Sequence, residues 1–148
     1  MGATGRRTEA WPEFLRLFAR LREESESGTV IVVVEGERDR RSLRGLGIHG
    51  PIALVHGGGT LAAFSARLAR EGRKAIVLTD WDLEGGHLAR RLREFLEAEA
   101  VGIDLEYRRR FARILRGEIT HVEAMNGWAR RVADEAGTPI DGELADLA

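Results

Sequence analysis

Residues 29–36 read Thr-Val-Ile-Val-Val-Val-Glu-Gly, and the unbroken β-branched run at residues 30–34 constrains the fold more than any other stretch. β-Branched side chains are stiff at χ1 and favour extended backbone. Successive side chains of a strand point to opposite faces, so a run without a polar break is dry on both sides. That is the condition of a strand inside a parallel sheet covered by helices above and below. "PIALVH" (residues 51–56) and "KAIVLTD" (74–80) are two more apolar runs, and "GIDLEY" (102–107) reads as a fourth strand. Between them lie "ERDRRSLRGLG", "LAAFSARLAREG" and "LEGGHLARRLREFLEAEA", each with helical character and each close to a glycine. Strand and helix alternate with short connections. The pattern predicts an α/β fold: a Rossmann-like three-layer sandwich with a mostly parallel four-stranded central sheet and right-handed crossovers.

Helical segments flank this unit. Over residues 11–25 the apolar positions Phe14, Leu15, Leu17, Phe18 and Leu21 recur at helical spacing, with Pro12 suited to a first turn and Gly28 as a stop. Beyond Tyr107 the strands end. "RRRFARILRGE" predicts a short helix, "ITHVEAMNGWARRVADEAG" a longer one, and "TPIDGELADLA" a loosely held tail. A chain of 148 residues is the size of one domain. We expect an N-terminal helical extension over 1–28, the α/β domain over 29–107, and a C-terminal helical extension with a tail over 108–148.

Composition removes several classes of function. The absence of cysteine excludes disulfides, thiolate zinc sites and cysteine nucleophiles. The longest apolar run is strand length, far below the roughly 18 residues of a spanning helix, and no signal peptide is apparent. The expected setting is the cytoplasm, with no membrane partner. Net charge is -1, so bulk charge does not make the chain a polyanion binder. Of the 23 basic residues only Lys74 is lysine; the arginine bias suits bidentate phosphate contacts and equally suits a genome rich in G and C. The arginines cluster at 38, 40, 41 and 44, at 90, 91 and 93, and at 108, 109, 110, 113 and 116.

In an open parallel sheet, ligands collect at the carboxyl ends of the strands. Here those ends carry Glu35-Gly36, His56 followed by Gly57, Gly58 and Gly59, and Asp80-Trp81-Asp82-Leu83-Glu84 followed by Gly85 and Gly86. Like charges this close repel unless a cation lies between them. Alternate residues of an extended segment share a side roughly 6 to 7 Å apart, so Asp80 and Asp82 can share one metal ion or its waters. Magnesium suits hard carboxylate oxygens and retains water, with manganese as the alternative ion. The glycines allow close approach of backbone and substrate, and helix-start amides favour anions. The bland reading of an isolated Asp-X-Asp is a helix cap. What argues against it is the second acidic motif, "VVVEGERD", at the end of another strand.

Together these two motifs resemble the Toprim domain, the module shared by topoisomerases, bacterial-type primases, overcoming-lysogenization-defect nucleases, recombination mediators and the 5S ribosomal RNA maturase. Glu35 matches the family's glutamate, within Glu35-Gly36-X-X-Asp39 as in primases and the maturase; Asp80 and Asp82 match its Asp-X-Asp, which Glu84 extends as in topoisomerases. The resemblance covers roughly residues 29–107. It implies that Asp80, Asp82 and provisionally Glu84 hold magnesium, and that Glu35 acts as general acid or base on a phosphodiester. Gly36, Asp39, Gly57, Gly58, Gly85, Arg108, Arg109 and Arg110 are the candidate substrate and phosphate contacts. The alternative for the arginine run is a solvated helix face.

Other readings fit less well. A haloacid-dehalogenase phosphatase carries threonine or valine where this chain has Glu84, and normally places its motif on the first strand. "VHGGGT" lacks the lysine and spacing of a P-loop. His49, His56, His87 and His121 show no metal-ligand spacing and read as surface or capping residues, with His56 and His87 near the site edge. Glu123 reads as a capping or solvent-facing residue. Tyr107 stands without the separate domain a topoisomerase nucleophile needs, and a primase's accessory regions have no place. The sequence therefore predicts a stand-alone Toprim protein: a magnesium-dependent, nuclease-like enzyme on RNA or DNA. The alternative is a non-catalytic nucleic-acid-binding or assembly module that retains the acidic site.

Overall fold

The β-branched run forms strand β1 (Val30–Val34), buried along its whole length. The computed structural model describes residues 3–140 and Leu144. Among these, β1 is preceded by α1 (Ala3–Glu26) and followed by α2 (Glu37–Gly45), β2 (Ile52–Leu54), α3 (Leu61–Glu71), β3 (Lys74–Val77), α4 (Leu83–Ala98), β4 (Ile103–Asp104), α5 (Glu106–Ile114), a 3-10 turn (Val122–Ala124) and α6 (Met125–Glu135). The strands form one sheet in the order β2-β1-β3-β4. All pairings are parallel, with Val32 opposite Ile52 on one side and Ile76 on the other, and Ala75 opposite Ile103. β1 and β3 are therefore neighbours. The predicted α/β sandwich with its parallel four-stranded sheet is the fold observed.

Alternation along β1 divides the core in two. Val30, Val32 and Val34 join Ile76 and Leu78 under α1, α2, α5 and α6, whereas Ile31 and Val33 join Ala75 and Val77 under α3 and α4. Full burial of a large apolar side chain stabilises by roughly 1.5–3 kcal/mol, so each face gives the sheet its own anchor. On the first face Phe14 lies among Trp11, Phe18, Phe111 and Trp128, with ring centroids 5.0 to 5.7 Å away. These rings join α1, α5 and α6 to one another beside the sheet.

Two expectations need correction. α1 begins at Ala3, so Pro12 lies inside the helix and not in its first turn. Pro12 is exposed, and the stripe of Trp11, Phe14, Leu17, Phe18 and Leu21 packs on the core across it. The missing N–H costs a hydrogen bond there; the buried face offsets that loss. In the tail, Leu144 is only 2% exposed and belongs to the first core face, and the Arg130 guanidinium donates to the Ile140 carbonyl at 2.9 Å. Positions 141–143 and 145–148 of the tail lie outside the described residues. No helix among the described residues is long and apolar enough to cross a membrane.

Candidate metal centre

The parallel sheet brings the ends of β1, β2 and β3 to one edge. The Glu35 carboxylate accepts a hydrogen bond from the Asp80 amide through Oε2 (2.8 Å), and its Oε1 lies 3.7 Å from His56 Nε2. Asp80 is 9% exposed and accepts through Oδ1 from the Val122 amide (2.8 Å). Asp82 is the N-cap of α4 and accepts through Oδ1 from the Gly85 amide (2.7 Å), while its Oδ2 lies 3.1 Å from His121 Nε2. In each of the three carboxylates, then, a backbone amide orients one oxygen. The bland cap reading of Asp82 is thus correct as far as Oδ1 goes, and Oδ2 remains for another role.

The electrostatics follow from this crowding. Burial pushes the Asp80 carboxyl up to about 7; the Val122 amide opposes the shift, and the charges of Glu35 and Asp39 reinforce it. Asp39, buried at the start of α2, is also raised, first by burial and then by Glu35 and Glu123, against the hydrogen bond it accepts from the Gly36 amide (3.0 Å). Arg108 supplies the local counter-charge. Its Nε donates to the Thr79 carbonyl and hydroxyl (3.2 and 3.1 Å), and its Nη2 donates to the Asp80 carbonyl (2.8 Å). Burial lowers the Arg108 pKa despite the attraction of Asp82, Glu35 and Asp80. The guanidinium thereby grips the backbone of the loop.

Gly85 explains the sharp entry into α4. A Cβ there would lie 1.9 Å from the Asp80 carbonyl oxygen, so no side chain fits. The Thr79 hydroxyl donates to the Gly85 carbonyl (2.8 Å) and closes the same turn.

One donor atom from each of Asp80, Asp82 and His121 lies within 4.8 Å of the other two, the grouping among the described residues that can hold a metal ion. Glu35 adjoins Asp80 but is not in that trio. Glu84 is exposed on the first turn of α4, also outside it. Gly36 begins α2 beside Glu35, and Gly57 and Gly58 lie in the exposed loop after His56, whose amide donates to the Glu35 carbonyl (2.9 Å). Arg108 reaches the centre, but Arg109 and Arg110 pair with Glu106 (3.4 and 3.2 Å) on α5 instead.

His121 is the residue that motif spacing missed. It arrives from the segment before α6, which docks on the Asp-X-Asp loop: the Trp81 amide donates to the Thr120 carbonyl (3.0 Å) and the Trp81 indole to the Ile119 carbonyl (2.7 Å). The one signal available was Trp81 itself. A half-buried indole between two acidic residues needs an acceptor from elsewhere in the chain. His49 and His87 are exposed and absent from the trio.

A parallel α/β sheet whose neighbouring central strands deliver a glutamate and an Asp-X-Asp pair to one edge defines a recognisable class. The family model described as "Toprim domain" matches residues 30–114, and the chain belongs to this family. It is 36% identical over 129 residues to a UPF0292 protein of Methanosarcina acetivorans, covering 86% of this chain and 87% of the relative. A UPF0292 protein of Archaeoglobus fulgidus is 34% identical, with 84% and 96% covered, and one of Thermococcus gammatolerans is 32% identical, with 90% and 96% covered. A solved structure of a protein from Aquifex aeolicus shares the fold, with a TM-score of 0.63 at 22% identity over 73% of this chain and 94% of that one.

Proposed function

We propose that the protein is a divalent-metal-dependent enzyme of nuclease type, acting on phosphodiesters of RNA or DNA. The observation that carries the reading is the convergence of Glu35, Asp80 and Asp82 at one sheet edge, each with one oxygen held by a backbone amide. Hard carboxylate oxygens around a buried, poorly compensated Asp80 fit a divalent cation such as magnesium or manganese. Asp80 and Asp82 would hold it, and exposed Glu84 is available through water. Such an ion neutralises charge that develops on a phosphodiester during cleavage.

The chain's own groups do the rest. Glu35, fixed through Oε2, gives or takes a proton at the attacking or leaving oxygen. Arg108 holds the loop, so that the aspartates keep their places. The Gly36 and Gly85 amides are taken by Asp39 and Asp82 and so orient carboxylates and not a substrate phosphate, while the loop at Gly57 and Gly58 borders the substrate's path. Exposed Arg109 and half-buried Arg110, beyond the centre, contribute salt-dependent contacts to flanking phosphates.

The test is cleavage of labelled structured RNA and DNA, with magnesium or manganese and with a chelator, for the wild type, Glu35→Gln and Asp80→Asn. We expect metal-dependent cleavage, reduced by on the order of 10²-fold or more in Glu35→Gln, the scale of general acid–base catalysis. If no protein cleaves with any ion while nucleic-acid binding survives in all three, the enzyme reading fails and the binding-module reading replaces it. Hydrolysis of small phosphomonoesters instead would restore the dehalogenase-like reading.

A further inference from the structure

We propose that His121 is a third metal ligand, and that its imidazole tilts the centre toward first-row transition ions over magnesium. The inference rests on the metal-dependent reading above and deepens it. Distance, orientation and anchorage support it.

The first is distance. Two ligands bound side by side to one ion, each at about 2.1 Å, lie about 3 Å apart. His121 Nε2 and Asp82 Oδ2 are 3.1 Å apart, and a donor of Asp80 lies within 4.8 Å of both. The second is orientation. His121 Nδ1 is 2.8 Å from the Thr120 hydroxyl, the kind of outer contact that fixes the ring of a ligating histidine. When Nδ1–H donates to that hydroxyl, the lone pair on Nε2 faces the Asp82 carboxylate. Two acceptors at that distance repel, and a cation between them turns the repulsion into coordination.

The third is anchorage. Residues on both sides of His121 are bound to the Asp-X-Asp loop: Thr120 through its carbonyl to the Trp81 amide, and Val122 through its amide to Asp80 Oδ1. The imidazole is held at the centre by the fold and stays 45% exposed toward the open side.

The chemical consequence concerns metal choice. Magnesium prefers an all-oxygen shell and releases water reluctantly, whereas imidazole suits transition ions. Two carboxylates and one imidazole therefore favour manganese or cobalt over magnesium. The competing account is a plain ion pair, with a protonated His121 donating to Asp82.

The experiment uses the full chain, stripped of metal. Electron spin-echo spectroscopy of the manganese-loaded protein detects a coordinated nitrogen directly, and calorimetry gives Kd for manganese and magnesium. The proteins are the wild type, His121→Ala, His56→Ala and Asp82→Asn, with metal-free circular dichroism as the folding control. We expect nitrogen modulation in the wild type and in His56→Ala, and none in His121→Ala. That variant should bind manganese at least about tenfold more weakly and magnesium nearly as before. Wild-type protein that binds manganese without nitrogen modulation, or modulation that persists in His121→Ala, overturns the inference and leaves the carboxylate site standing. So does an equal loss of both ions. Should the wild type bind neither ion, or Asp82→Asn bind as the wild type does, the underlying metal reading fails.

Discussion

Asp80 shows most clearly what a single residue contributes. Its Oδ1 is committed to the Val122 amide, and its carboxyl is pushed up to about 7 by burial, with Glu35 and Asp39 adding to the shift. Because the ordinary value is 3.8, the folded protein holds a proton between these limits that the unfolded chain releases. The metal-free protein is therefore stabilised by this group at low pH, and the contribution is lost as pH rises from about 4 through about 7. In the presence of a chelator, thermal unfolding of the wild type should occur several degrees lower at pH 8 than at pH 5. In Asp80→Asn, whose amide oxygen can still accept from Val122, the difference should shrink. An identical pH response in the variant would show that Asp80 is not the group responsible.

At the scale of elements, the decisive junction is β3 to α4. Gly85 and Gly86 are neighbours in sequence with opposite surroundings: a Cβ on Gly85 would strike the Asp80 carbonyl, whereas one on Gly86 would meet only Arg108 Nη2 at 3.6 Å, an ordinary contact. Gly85→Ala should cost about 1–3 kcal/mol, the scale of overpacking, and displace Asp80 and Asp82 from each other. Gly86→Ala should be neutral or stabilise by up to about 1 kcal/mol, because alanine favours the helix. Chemical denaturation of both variants checks this, and equal effects would contradict the packing assigned to α4. This junction was legible beforehand because the glycines, the acidic pair and the apolar run are adjacent in the chain. The strands were legible for a similar reason: β1, and β3 after its exposed Lys74, are continuous apolar runs, and the burial of those residues on both faces follows from that. The start of α1 was not, since Pro12 imitates a first turn and the helical residues before Trp11 carry no such periodic apolar stripe. His121 was invisible to spacing because its link to Asp82 exists only after Trp81 captures the carbonyls of Ile119 and Thr120.

For the whole molecule, the sheet edge and the helices beyond it form one structure. The Toprim match ends at residue 114, yet residues 119–122 wall the acidic edge, and α6 packs through Trp128 against Phe14 of α1. A cation held by Asp80, Asp82 and His121 would join strand β3 to that wall. Glu35 and the Asp-X-Asp pair, which motif order singles out, do meet at the predicted edge, and their proposed use there is as a metal centre. It is tested most directly by titrating the metal-free protein with manganese while the free ion is counted by electron paramagnetic resonance. We predict uptake of a single ion per chain by the wild type and loss of that uptake in the Asp80→Asn, Asp82→Asn double variant. Undiminished uptake in a folded double variant, or none in the wild type, would contradict it.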